Sequence, residues 1–443
     1  MRRTGKRILA LIMTLVMILG CTACGDKGGE RRKSSSGTAT ATPTPTQAAK
    51  KEDPGFTPSS GTKELTGTSG GAPVTKAMDE KMKAAYEQFA YELFKQMNKG
   101  ETRMISPFSV YVALAMLANG ADGNTLAQMN NVLGLTNEER NAYLAAWVDQ
   151  LTKLTEGATF TNANSLWIRN DVCSHVPQGF LTTCLDYYRA AVFSATMEQE
   201  TVTDLNNWVN KNTKGMIPTI LDQLTNKPAM ILMNAITLDA KWADPFKTDY
   251  IVKNSDFKLA NGTTRKVDMM HGEADGRYLE NDLASGFVKS YLGGEYSYVA
   301  LLPKEGVTIE QLVDSLGVGT LDKLYANAKH GDVIISMPKY TQEYTVKLPD
   351  ALKSLGMTDV FDQDLSNLRK LIDDHDTYVS DVIHKTYISV DNDGTKAAAV
   401  TAILVNDATC IMNNDTYYVN LDRAFVYMIV DSNGLPVFLG TYE

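Results

Sequence analysis

The chain is poor in the residues that most site chemistry requires. Only five histidines occur among 443 residues, at positions 175, 271, 330, 375 and 384. None has a metal-ligand spacing such as HExxH. There is no phosphate-binding GxxxxGK[ST] loop. His375 stands in Asp373-Asp374-His375-Asp376, the composition of a solvated acidic loop. These absences leave no metal and no cofactor to expect, and they argue against an enzyme. One catalytic arrangement stays open, a hydrolase using Cys410 with a histidine, although nothing in the sequence orients such a pair.

Cysteine is also scarce. Five residues are too few for a disulfide framework in a chain this long. Cys21 and Cys24 lie near the N-terminus, leaving Cys173, Cys184 and Cys410, so at least one thiol stays free. A Cys173–Cys184 bridge remains open. A basic excess is missing as well: 43 Lys and Arg face 52 Asp and Glu, a net charge of −9. That argues against nucleic acid as a partner, since phosphate binding needs a cationic face. The one long apolar run, Ile8 to Gly20, is short for a membrane span.

The N-terminus nevertheless carries an export pattern. Arg2, Arg3, Lys6 and Arg7 precede the apolar run. Ile18-Leu19-Gly20-Cys21 resembles a bacterial lipobox, which implies cleavage after residue 20 and a diacylglycerol on the Cys21 thiol. Cys24 fits less well, because Cys21 stands where the pattern wants an aliphatic residue. A plain secretory signal is the alternative. The expectation is a protein anchored to the membrane by lipid, on the outer face of a bacterial cell. Residues 21–76 are rich in Gly, Ser, Thr, Pro and Lys, with a low-complexity stretch from Thr38 to Thr46. Such a segment buries too little apolar surface to offset its ordering entropy, so a disordered spacer is expected.

The folded part, residues 77–443, opens on a helical pattern. Met82, Ala85, Tyr86, Phe89, Ala90, Leu93, Phe94 and Met97 recur at helical spacing. Ser109 to Leu117 is apolar nearly all round and so calls for burial on every side. Pro107 suits a helix start. Helices are expected to about Leu224. Strand patterns follow at 231–238, 286–291, 296–302, 333–337 and 340–346. A last pair, 425–430 and 436–442, is joined by a turn containing Asn433-Gly434. Helices first and strands later, without βα alternation, indicate an α+β fold.

A final segment is unusual. Asn392-Asp393-Gly394-Thr395-Lys396-Ala397-Ala398-Ala399-Val400-Thr401-Ala402 joins a Gly and a Thr to a run of small apolar residues. This composition suits an exposed loop and also a crowded strand. The stretch resembles the hinge of the serpins, a family of serine-protease inhibitors. Motifs from about Asp79 to the C-terminus agree with it in order. They include 104–109 (Met-Ile-Ser-Pro-Phe-Ser), 207–218 (Asn-Trp through Ile-Pro), Lys241-Trp242 with Pro245-Phe246, 301–304 (Leu-Leu-Pro-Lys), 337–340 (Met-Pro-Lys-Tyr) and His384-Lys385.

The resemblance implies helices packed on large, mostly antiparallel sheets with an exposed reactive loop. It implies that Gly394, Thr395, Ala397, Ala398 and Ala399 enter the large sheet after the loop is cut. Ser106, Ser109, Asn234 and His384 match the family's "shutter", and Trp242 its "breach". Asn392 and Lys396 stand where inhibitory members usually carry Glu. The family's loop length places the scissile bond at Ala408–Thr409, with Thr409–Cys410 the alternative register. A small residue before the bond suits elastase-like or subtilisin-like proteases. A monomer is expected. The competing expectation is a non-inhibitory serpin that acts as a surface binding protein.

Overall fold

The structure, a computed structural model, describes residues 56–98, 104–153, 155–173, 175–224, 227–373, 376–395 and 415–443. They fall in one compact unit, Glu52–Glu443. In chain order the elements are β1 (Thr62–Leu65), α1 (Glu80–Asn98), β2 (Met104–Ile105), α2 (Pro107–Ala118), α3 (Gly123–Leu133), α4 (Asn137–Thr152), β3 (Ala158–Arg169), α5 (Gln178–Tyr188), β4 (Ala191–Ala195), α6 (Gln199–Asn212) and β5 (Met230–Lys241). Then follow β6 (Ile251–Lys258), β7 (Thr264–Glu273), β8 (Arg277–Glu280), β9 (Ala284–Ser290), β10 (Tyr296–Pro303), α7 (Ile309–Ser315), α8 (Thr320–Ala326), β11 (Lys329–His330), β12 (Asp332–Pro338), β13 (Tyr340–Lys347) and α9 (Pro349–Ser354). The last are β14 (Asp381–Val390), β15 (Gly394–Thr395), β16 (Thr416–Asn420), β17 (Phe425–Asp431) and β18 (Pro436–Tyr442).

The strands form three sheets. The central one runs β1-β4-β3-β5-β15-β14-β13, the second β11-β8-β9-β10-β17-β18-β2, and the third β16-β12-β7-β6. Helix α2 is buried along its whole length and packs against β5 and β18. Its nearly uniform apolarity is explained by that position between two sheets. Only its first turn is polar on the inside: Ser106 caps the helix by accepting from Ser109 N–H.

The α+β class stands, two expectations are corrected and one open question is closed. The first half holds long strands as well as helices. β3 was missed because Thr159, Thr161, Asn162, Asn164 and Ser165 give it no clear apolar alternation. The spacer ends earlier than residue 76. β1 pairs antiparallel with β4, Phe56 packs edge-on to Phe193, and Ser59 donates to the Asp204 carboxylate. Backbone pairing and a single aromatic anchor this segment despite its polar composition. Cys173 and Cys184 are both free thiols, Cys184 buried on α5. Cys21, Cys24, His375 and Cys410 lie outside the described residues.

Candidate functional site at the seam of the central sheet

The site is the line along which β5 and β14 meet. Over most of its length the two strands pair in parallel, from Ile231 opposite Asp381 to Thr237 opposite Tyr387. Above that point β15 wedges between them. It is antiparallel to both: Gly394 lies opposite Lys241, and Thr395 opposite Ala240 and Val390. Two of the hinge residues are therefore already strand in the intact chain, and Thr395 has no solvent exposure. Its hydroxyl shares a hydrogen bond with Tyr291 OH. Gly394 is required by close approach, because a Cβ there would sit 2.1 Å from the Ala240 carbonyl oxygen.

The turn into β15 is locally determined. Asp391 Oδ1 accepts from Asp393 N–H at 2.9 Å and Gly394 N–H at 3.2 Å, an Asx-type reversal. Asn392 accepts from Lys339 Nζ at 3.0 Å. The residue that departs from the family's Glu thus still meets a cation, through an amide oxygen.

Trp242 holds this turn. Its indole N–H donates to Asp391 O at 2.9 Å. Its backbone N–H donates to Asp393 O, and Phe246 N–H to Asn392 O, both at 2.9 Å. The indole stacks on Tyr291, with centroids 4.5 Å apart and planes at 9°. Tyr291 therefore supports both the Trp242 ring and the Thr395 hydroxyl; sequence reasoning missed it because a buried Tyr in a strand signals only core.

Lower on the seam, the four expected shutter residues meet. His384 on β14 lies opposite Asn234 on β5, and its Nδ1–H donates to Asn234 Oδ1 at 2.8 Å. Ser106 N–H donates to His384 Nε2 at 3.0 Å. These partners fix a neutral imidazole protonated at Nδ1. Burial holds its pKa down at about 3. Ser109 Oγ–H donates to Asn234 Oδ1, Asn234 Nδ2 donates to Ser109 O at 3.0 Å, and Ser106 Oγ–H donates to Val437 O at 2.7 Å. Asn164 on β3 extends the network by accepting from Asn234 Nδ2. It too was missed. Its signal was an amide two residues from Asn162 in a stretch expected to be helical. Asn164 Nδ2 and Thr386 Oγ have no partner among the described residues.

Ala397, Ala398, Ala399, Ala408 and Thr409 lie outside the described residues. On the far side of that segment, β16 enters the third sheet parallel to β12.

The seam thus holds a two-residue antiparallel strand, β15, between two strands that pair in parallel below it. The family model for serpins (serine protease inhibitors) matches residues 84–443, and the chain belongs to the serpin family. Serpins as a family act on serine proteases as inhibitors rather than as catalysts. Human serpin B9 is 29% identical over 368 residues, covering 79% of this chain and 95% of that one. An uncharacterised serpin-like protein of Thermococcus kodakarensis is 28% identical over 364 residues, covering 80% and 84%. The crystal structure of tengpin, a thermophilic serpin, in the native state is 38% identical, with a TM-score of 0.77 over 85% of this chain and 97% of that one.

Proposed function

We propose that this protein inhibits serine proteases as a suicide substrate, trapping the acyl-enzyme by inserting its own loop between β5 and β14. The observation that carries this reading is the seam. Parallel pairing is the weaker ladder. Completing β15 downward would replace one parallel ladder with two antiparallel ones, so the intact chain is short of its best-paired state. A cut in the loop frees it to reach that state.

The chemistry follows. The protease serine Oγ attacks the Ala408 carbonyl, the bond to Thr409 breaks, and the Thr409 nitrogen takes the proton and leaves as an amine. Ala408 remains esterified to the protease. Insertion then draws that ester along the sheet before water can attack it. A small residue at 408 suits shallow primary pockets, so elastase-like and subtilisin-like proteases are the proposed targets. A human relative, 28% identical over 392 residues, is named leukocyte elastase inhibitor, which is compatible with that choice. We further propose a monomer held at the bacterial cell surface by lipid on Cys21, with no cofactor.

The test is to mix a soluble form starting before Phe56 with an elastase and with a subtilisin, followed by a denaturing gel and intact mass. A boiling-resistant species at the summed mass, with a released peptide starting at Thr409, supports the reading. Clean cleavage without it, and no rise in thermal stability after cleavage, would favour a non-inhibitory binding protein.

A further inference from the structure

A buried cation lies beneath the segment that holds the hinge. Lys289 on β9 is 2% exposed. Its ammonium donates to the Glu273 carbonyl on β7 at 2.8 Å. It stands 4.7 Å from the Phe246 ring centroid and 5.9 Å from that of Trp242. Asp244, Asp275 and the Glu273 carboxylate favour its charge from a distance, while burial opposes it. Its neighbours along β9, Phe287 and Val288, are fully buried apolar residues. A Met would fill the same space without the desolvation cost of an ammonium. Packing alone therefore gives no reason for a lysine here.

Its contacts suggest one. Lys289 ties three elements together: β9 that carries it, β7 whose carbonyl it holds, and the 242–246 segment whose rings it faces. That segment supplies the three hydrogen bonds to Asp391, Asn392 and Asp393 described above. An ammonium over an aromatic face fixes the ring by attraction to its quadrupole, most strongly where water is excluded.

We propose that Lys289 is a positioning residue for the hinge, fixing the Trp242 and Phe246 rings and through them the donors that aim the loop into the seam. Its consequence for trapping rests on the inhibitory reading; the anchoring itself does not.

The test compares the parent with Lys289→Met and Lys289→Arg. The first readout needs no protease: hydrogen exchange at the Trp242 and Phe246 amides. Lys289→Met should exchange roughly thirtyfold faster there, the size of one desolvated cation–π contact, with the rest of the central sheet unchanged. Lys289→Arg should restore most of the protection. The second readout is the stoichiometry of inhibition, which should rise severalfold in Lys289→Met without a lower melting midpoint. Parent-like exchange in Lys289→Met overturns the proposal. So does a uniform loss of protection across the sheet, which would mark a merely structural role, and so does equal behaviour of the Met and Arg variants. A parent that traps no protease would defeat the inhibitory reading, yet the exchange data would still decide the role of Lys289.

Discussion

Thr395 and Tyr291 share a hydrogen bond between hydroxyls in a site closed to water, so the first loop side chain is already seated in the sheet before any cut. Tyr291→Phe strands the Thr395 hydroxyl, which costs about 1–3 kcal/mol in a buried site. The expected outcome is a looser hinge, seen as faster limited proteolysis near residue 395. Thr395→Arg is the stronger change, because a guanidinium in that seat is buried and unpaired. It should leave the loop cleavable but abolish the covalent complex. Trapping at the parent stoichiometry would exclude insertion as the trapping step.

Asn392 offers an amide oxygen to Lys339 where a carboxylate would form an ion pair. Asn392→Glu should therefore raise the melting midpoint of the intact protein, by an interaction of up to about 1 kcal/mol at this partly exposed position. The gain should fade in roughly 1 M salt, where the screening length falls to a few ångströms. A gain that ignores salt would point to a packing change instead.

His384 makes stability depend on pH with a definite sign. Its folded pKa is lowered to about 3 from the ordinary 6.5. Between those values the unfolded chain binds a proton that the folded one does not. Its contribution is thus complete above about pH 6.5 and is lost on acidification, at about 1.4 kcal/mol per pH unit across the window. Denaturant unfolding at stepped pH should show this slope, and His384→Gln should flatten it. An unchanged slope in the variant would assign the acid sensitivity elsewhere.

The N-terminal segment covers an open sheet edge. Deleting residues 1–78 would expose β4, whose unpaired backbone invites association. The truncated protein should melt lower than one starting before Phe56, and should aggregate faster on warming. Equal melting would mean that β1 adds no net stability.

The α+β class and the shutter quartet were legible in the sequence for different reasons. Helix α1 shows a clean apolar period, and α2 shows apolarity on every face, which only burial explains. Ser106, Ser109, Asn234 and His384 were found through resemblance, since no local pattern links residues so far apart. Register is what brings them together, and pairing partners are not written in either strand alone. β3 was lost because polar residues interrupt it: Thr161 bonds Thr237 and the buried Asn164 bonds Asn234, so hydrogen bonds replace the apolar alternation that marks ordinary strands. β1 was lost because a short edge strand held by backbone bonds needs little apolar surface. Tyr291 and Lys289 were lost because their roles lie in what stands beside them.

The register of β15 extends to a prediction about the inserted state. Antiparallel pairing places Thr395 opposite Ala240 and Val390, so each further loop residue meets one residue earlier on both strands. Thr401, outside the described residues, would then fall opposite Asn234 on one side and His384 on the other. Alternation gives it the same face as Thr395, the buried one. Strands lie about 4.8 Å apart, so an inserted strand doubles the distance between β5 and β14. The direct His384–Asn234 hydrogen bond must break. A threonine hydroxyl replaces it with matched polarity, accepting from His384 Nδ1–H and donating to Asn234 Oδ1. Thr401→Val keeps the shape and removes the hydroxyl. It should leave the intact protein's stability unchanged, but destabilise the cleaved form by about 1–3 kcal/mol through the His384 Nδ1–H left unpaired, while Asn234 Oδ1 keeps the Ser109 hydroxyl. Denaturant midpoints of both forms measure this. If cleaved Thr401→Val unfolds at the same denaturant concentration as the cleaved parent, the loop does not insert in this register.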